Sequence, residues 1–325
     1  MRRIVFFATS WVVAATVALG DPLPSWSEGP ARDRLIAFVE AVTDPANADF
    51  VAAADRIAVF DNDGTLWGEQ PAYFQFLFAL DRLKAMAAED PAVLENDVLK
   101  AAAEGDLKTV LEAGEEGLLE VVNATHAGLA VAEFQAEVLA WLETARHPST
   151  GLRYDAMTYQ PMVELLRYLR DEGFETFIVS GGGIHFMRAF TEAAYGIPSQ
   201  NVVGTLGETK YETEGGEPRV VKAPGIAFLD DKEGKPIGID RAIGKRPILA
   251  GGNSDGDFAM IEWTTAGPGP RLGLIIHHTD ADREFAYDRD SAIGRLNDGL
   301  DKGPGMGWLI VNMAKDWDRI YTGAR

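Results

Sequence analysis

Three short polar clusters hold residue types that could act together: Asp61-Asn62-Asp63-Gly64-Thr65, Ser180-Gly181-Gly182-Gly183 and Asn253-Ser254-Asp255-Gly256-Asp257. A carboxylate such as Asp61 is a feasible nucleophile toward phosphorus and could carry the phosphoryl group as an acyl phosphate. Asp63, two residues on, could protonate a leaving alcohol and then, as a carboxylate, activate water. Gly64 permits a tight turn and Thr65 could hydrogen-bond it. Ser180 with the amides of Gly181 and Gly182 would make a donor nest for phosphate oxygens, with a helix start just behind it. The third cluster offers oxygen atoms to a hard cation. Taken singly, each cluster is also explained by turn or helix-cap chemistry.

What makes them interesting together is what precedes them. Residues 56–60, 175–179 and 247–250 are short apolar runs of the kind that form buried parallel strands, and each runs directly into one cluster. A further strand is expected over 271–276, a polar hairpin over 206–221 turning at Gly215-Gly216, and helices over 31–42, 161–171, 184–195, from Asp257 onward, and 306–320. Alternation of strand and helix implies an α/β fold, a doubly wound parallel sheet with helices on both faces. Ligands of such sheets bind outside the carboxyl ends of the strands, so the clusters can meet in one crevice. Between the first two clusters lies a long stretch rich in Ala, Leu and Glu, punctuated by Pro71, Pro91, Gly105, Gly114 and Gly128. It reads as an inserted bundle of amphipathic helices. The expected organisation is a signal peptide over 1–20, core over 21–66, a helical cap over 67–155 and the rest of the core over 156–325.

The first cluster and its strand resemble the nucleophile motif of the haloacid dehalogenase superfamily, Asp-x-Asp-Gly-Thr. The Ser-Gly-Gly cluster and the size of the insertion look most like the phosphoserine phosphatase-like branch, whose cap covers the site. The resemblance implies a Rossmann-like core with an inserted cap. It also implies a Mg2+-dependent phosphatase working through an aspartyl-phosphate on Asp61, with Asp63 as acid and base. Ser180, Gly181 and Gly182 would bind phosphate. The metal would be held by Asp61, the backbone carbonyl of Asp63, Asn253 and the acidic place of Asp257. Here the chain departs from the family pattern: Asn253 stands where an Asp is usual, which removes a charge from the metal site, and Asp255 is the alternative ligand. A lysine upstream of the third cluster is also implied. Of Lys222, Lys235 and Lys245, the position of Lys235 fits best. His277, His278, Asp280 and Asp282 read as a polar surface loop, and Glu69 and Gln70 as residues near the substrate's organic part.

Composition narrows the partners. The chain has 325 residues, 50 Asp and Glu against 30 Lys and Arg, and a net charge of −20. That argues against nucleic acid and anionic membrane surfaces as partners. It also means that an anionic substrate needs local cations. With no Cys, disulfides, thiolate metal sites and a Cys nucleophile are excluded. Arg2 and Arg3, an apolar run over 4–19 and the small residues Ala18 and Gly20 resemble a cleavable signal peptide. The expected protein is therefore exported, periplasmic or secreted, without a membrane anchor once cleaved, and acts on a small phosphorylated metabolite. The competing readings are a haloacid dehalogenase, which would need neither Asp63 nor the metal, and a non-catalytic exported binding protein on the same scaffold, which Asn253 favours. The spacings of an EF-hand and of a Walker A loop are absent.

Overall fold

A computed structural model describes residues 20–213 and 216–323; the expected signal peptide over residues 1–20 lies outside them except for Gly20. The strands β1 (Ile57–Phe60), β2 (Glu175–Gly183), β3 (Val202–Glu212), β4 (Arg219–Phe228), β5 (Leu249–Gly252), β6 (Leu272–His277) and β7 (Leu309–Asn312) form one sheet. Their order is β4-β3-β2-β1-β5-β6-β7. All neighbours are parallel except β3 and β4, which pair antiparallel.

Both faces of the middle of the sheet are buried, which is why β1, β5, β6 and the middle of β2 are continuously buried rather than alternating. Ala58 and Phe60 of β1 face one core, shared with Leu35, Leu165, Ile178, Leu249 and Leu274. Ile57 and Val59 face the other, with Phe177, Ala250, Met260 and Ile275. Each Val, Leu, Ile, Phe or Met among them contributes about 1.5–3 kcal/mol of transfer free energy. The helices α1 (Pro30–Thr43), α2 (Phe74–Glu89), α3 (Asp97–Glu104), α4 (Leu107–Glu112), α5 (Gly114–His126) and α6 (Val131–Thr144) come next, α1 before β1 and the others after it. Parts of α2 to α5 share a separate apolar cluster that includes Phe76, Leu80, Leu83, Leu99 and Val121. α2 and α6 also reach the main core through Phe74, Phe78, Phe134 and Leu142. The remaining helices are α7 (Gln160–Asp171), α8 (Ile184–Met187), α9 (Thr191–Tyr195), α10 (Gly234–Ala242), α11 (Phe258–Thr265), α12 (Asp298–Lys302) and α13 (Met313–Asp316).

β3 has two roles. Its first residues pair with β2, Ser180 opposite Gly204 and Gly183 opposite Thr205. The rest pairs with β4 as far as Glu212 opposite Arg219. The loop before α6 adds to that hairpin: Gly128 N donates to Lys222 O and Lys222 N to Leu129 O, both at 2.9 Å.

Two expectations are corrected. The helix expected over 306–320 is instead β7 followed by the four-residue α13. The 3₁₀ turn Gly303–Met306 ends at Gly307, whose φ is +76°. Leu309 and Val311 then alternate with half-buried neighbours, the period of an edge strand lying beside β6. The helix expected over 184–195 is two short helices, α8 and α9, because Phe190 between them leaves the helical region at φ −127°.

Candidate active site

β1 is central, with β2 and β5 on either side and all three parallel. Asp61, Ser180 and Asn253 therefore emerge beside one another at the carboxyl edge. Lys235, from the first turn of α10, binds them together. Its Nζ donates to Asp61 Oδ1 at 2.7 Å, to Asp257 Oδ1 at 2.5 Å and to the carbonyl of Val179 at 3.1 Å. The lysine is 2% exposed. Burial opposes its charge, yet Asp257 and Asp61 together hold the ammonium above its ordinary range. Lys245 instead lies at the surface against Asp55, and Lys222 sits under the helices on β4.

The turn after β1 is folded by its own backbone. Asn62 O accepts from the amides of Thr65, Leu66 and Trp67, and Gly64 N donates to Trp67 O at 2.9 Å. Gly64 has φ +70°, and a Cβ there would meet Asn253 Nδ2 at 2.1 Å and Glu69 Oε1 at 2.5 Å. This position needs glycine twice over, for conformation and for space. Trp67 Nε1 donates to Asp63 Oδ1 at 2.7 Å. The other oxygen of Asp63 is 3.4 Å from where Gly182 would carry a Cβ. Asp61 Oδ2 has no hydrogen bond among the described residues. Burial, then Asp257, push Asp61 up to about 8 against the pull of Lys235. Burial pushes Asp63 up to about 6 against its bond from Trp67.

At β2 the glycines extend the strand to Gly183 rather than forming a loop. Gly182 N donates to Ser180 Oγ at 3.2 Å and Gly183 N to Gln75 Oε1 of α2 at 2.7 Å. The donor nest expected of Ser180, Gly181 and Gly182 thus has one amide, that of Gly182, already spent on Ser180. At β5, Asp257 caps its own loop: Oδ2 accepts from Asn253 N at 2.9 Å, Ser254 N at 3.0 Å and Ser254 Oγ at 3.2 Å. Both oxygens of Asp257 are therefore occupied, and it stands as a buttress for Lys235 and the loop instead of an open metal ligand. Asp255 turns away to accept from the amides of Asn297 and Gly299.

Asn253 is clamped. Its Oδ1 accepts from Thr65 Oγ1 at 3.1 Å and its Nδ2 donates to Glu69 Oε1 at 2.7 Å. Glu69 Oε1, which also accepts from Tyr287, takes the donor end of the amide, and Thr65 takes its oxygen. Glu69, buried and also bonded by Tyr287 at 2.7 Å, is pushed up to about 8 by burial against the pull of His278. Sequence reading assigns Glu69 to the substrate's organic part; the structure puts it beneath Asn253. His278 is likewise not on a surface loop. Its Nε2 donates to Gly64 O at 2.7 Å and its Nδ1 faces Glu284 at 3.2 Å. Burial opposes the charged ring, but Glu284 raises its pKa above the usual value. His277 is half-buried against Asp288. The spacing of Glu69 and His278 carried no local signal, since their partners are far away in the chain.

The donor set suits Mg2+. The Asp61 carboxylate, the Asp63 carbonyl and Asn253 Oδ1 all offer oxygen, the preference of a hard cation. Burial above all holds Asp61, Asp63 and Glu69 above the ordinary carboxylate range, so a cation bound beside them would favour their ionised forms. Among the described residues no three Asp, Glu, His or Cys side chains stand together as a metal cluster, so the cation would rest on two side chains and a carbonyl.

The family model of haloacid dehalogenase-like hydrolases matches residues 58–262, well over half of the chain. No curated protein matches. Among solved structures, a conserved protein of unknown function from Anaerococcus prevotii is 18% identical, with a TM-score of 0.52 over 77% of this chain and 86% of that one. A protein of unknown function from Bordetella pertussis is 17% identical, with a TM-score of 0.47 over 79% and 98%. A phosphoserine phosphohydrolase-like protein from Francisella tularensis is 16% identical, with a TM-score of 0.40 over 80% and 97%. The Anaerococcus likeness is one of fold alone.

Proposed function

The chain belongs to the haloacid dehalogenase-like hydrolases, and on that premise we propose that it is a Mg2+-dependent phosphatase of small phosphate monoesters, working through a phosphoryl group carried on Asp61. The observation that carries the reading is the state of Asp61. One carboxylate oxygen is tied to Lys235 and the other is free at the sheet edge, between the tips of β2 and β5.

In this scheme Asp61 Oδ2 attacks phosphorus, the bond from phosphorus to the ester oxygen breaks, and Asp63 gives its proton to the departing alcohol. Asp63, now ionised, takes a proton from water. The water oxygen bonds to phosphorus, phosphate leaves, and the Asp61 carboxylate is restored. Ser180 Oγ holds the phosphoryl oxygens with the Gly181 and Gly182 backbone close by, and Lys235 joins it by exchanging its bond to the Val179 carbonyl for one to a phosphoryl oxygen. Bound Mg2+, held by Asp61, the Asp63 carbonyl and Asn253, supplies charge neutralisation. Asp257 holds Lys235 in place. The helices between β1 and α7 serve as a cap, residues 67–155, that keeps bulk water out. Halide displacement would need no acid at 63, so Asp63 beside Gly182 favours phosphate. We also propose, from Arg2, Arg3 and the apolar run after them, that the mature protein is exported; cell fractionation tests this.

The test of the reaction is hydrolysis of p-nitrophenyl phosphate with Mg2+ or EDTA, for wild type and Asp61→Asn. Metal-dependent turnover that disappears in Asp61→Asn is the expected result. Turnover retained by Asp61→Asn refutes the nucleophile, and metal binding without turnover on a broad ester panel favours the non-catalytic alternative.

A further inference from the structure

Lys222 plays no part in that scheme, yet its setting is unusual. It is 9% exposed. Its Nζ lies 4.5 Å above the ring of Phe134 and 3.5 Å from His185 Nδ1. No carboxylate pairs with it among the described residues, although the chain carries a net charge of −20. The neighbouring cations have partners of their own: Arg82 pairs with Glu137, and Arg188 donates to the carbonyl of Val202. The His126 ring packs 4.6 Å from the same Phe134, and its Nε2 is buried without a hydrogen bond. Burial lowers Lys222 to about 8 and pushes His185 down to about 4. At neutral pH this is a desolvated ammonium beside neutral imidazoles, with no anion to match it. Burying a charge in that way is costly unless a partner arrives.

The position of the ammonium says where that partner would come from. The Lys222 backbone is bonded outward to Gly128 and Leu129. Its side chain runs back over β3, so that Nζ is 4.0 Å from where Gly207 would carry a Cβ. Gly207 is two residues beyond Thr205, a step of about 7 Å along a strand. Thr205 pairs with Gly183 and donates to Gly181 O at 2.7 Å. Ser180 itself pairs with Gly204, three positions before Gly207, so the ammonium stands on the order of 10 Å along the strand from Ser180, within reach of an anion three or four atoms from the phosphorus, and it lies between Phe134 of α6 and His185 of α8.

We propose that Lys222 binds a second anionic group of the substrate, a carboxylate or a second phosphate, so that the preferred esters carry negative charge at both ends. His185 shares this subsite, with its ring beside the ammonium. The inference rests on the phosphatase reading, because the first anion is the phosphoryl group at Ser180 and Lys235.

Calorimetric titration of the full chain with three non-hydrolysable ligands tests it: n-propylphosphonate, 3-phosphonopropionate and propane-1,3-diphosphonate. Wild type should bind one or both of the two-anion ligands at least ten-fold more tightly than n-propylphosphonate, and the tighter of the two identifies the second group. Lys222→Met should bring that preference to within about three-fold and leave n-propylphosphonate binding unchanged; Lys222→Arg should keep it. Binding of all three ligands with equal affinity by wild type, or a preference that survives Lys222→Met, overturns the proposal and leaves the phosphatase reading standing. No binding of any phosphonate removes both. The wild-type comparison needs no variant, so a misfolded Lys222→Met does not blunt the test.

Discussion

Replacing Lys235 with Met takes away the ammonium that Asp61 and Asp257 share. At 2.7 Å and an effective dielectric of 20, one such contact is worth about 6 kcal/mol of gross attraction. Most of that offsets the cost of burying the charges. Removing one partner of a buried pair nevertheless costs about 3–5 kcal/mol, because the other charge is left behind. Here two are left, on side chains only 9% and 0% exposed. For a chain of this size the loss corresponds to a fall of roughly 4–8 °C in Tm. The sign with pH follows from proton linkage. Asp61 already sits up at about 8 with Lys235 beside it, and without the lysine its folded state holds a proton still more firmly. A folded state that binds more protons than the unfolded one loses stability as pH rises. The deficit of Lys235→Met against wild type should thus be larger at pH 8 than at pH 5. Scanning calorimetry of both proteins at the two pH values reads it directly. An equal deficit at both, or none, would falsify the idea that Lys235 offsets buried carboxylates, and with it this account of the centre. Turnover should fall about 10²–10³-fold in the same variant.

Three further outcomes are expected. With Asp63 raised to about 6, its proton is present below that pH and lost above it, so kcat/KM on alkyl phosphate esters should decline above about pH 6, and Asp63→Asn should flatten the limb. Gly64→Ala forces a methyl onto Asn253 and Glu69 at φ +70°; a loss of about 1–2 kcal/mol from the backbone alone and at least about ten-fold in turnover should appear in thermal melts and kinetics. Glu69→Gln frees the Asn253 amide to flip, and the Mg2+ concentration for half-maximal turnover should rise about ten-fold; an unchanged metal titration would count against the clamp.

The site was legible in sequence where it is local. An apolar run followed by Asp-x-Asp-Gly-Thr announces both a strand and the carboxylate at its tip, and the same logic places Ser180 and Asn253. What could not be read are contacts made by folding alone. Glu69 meets Asn253 across 184 positions, and His278 meets Gly64 across 214. Nothing in their neighbourhoods marks either, and a histidine pair followed by aspartates looks like a solvated loop. Asp257 looked like a ligand because it is acidic and well spaced; only its hydrogen bonds show that both oxygens are taken. β7 was misread because Leu309, Met313, Trp317 and Ile320 keep a helical period while Leu309, Val311 and Met313 keep a strand's, and the choice was made by the free edge of β6.

The two amide bonds between Lys222 and the loop at Gly128 and Leu129 constrain how the crevice could open. A roof fastened to one of its own walls cannot swing as a door does. Either the β3–β4 ribbon travels with the helices as a single piece, bending where β3 leaves β2 near Thr205, or both bonds break first at about 1 kcal/mol each. On the first route Lys222 is carried away from Ser180 as the crevice gapes, and the distance between the two ends of the binding site becomes a gauge of closure.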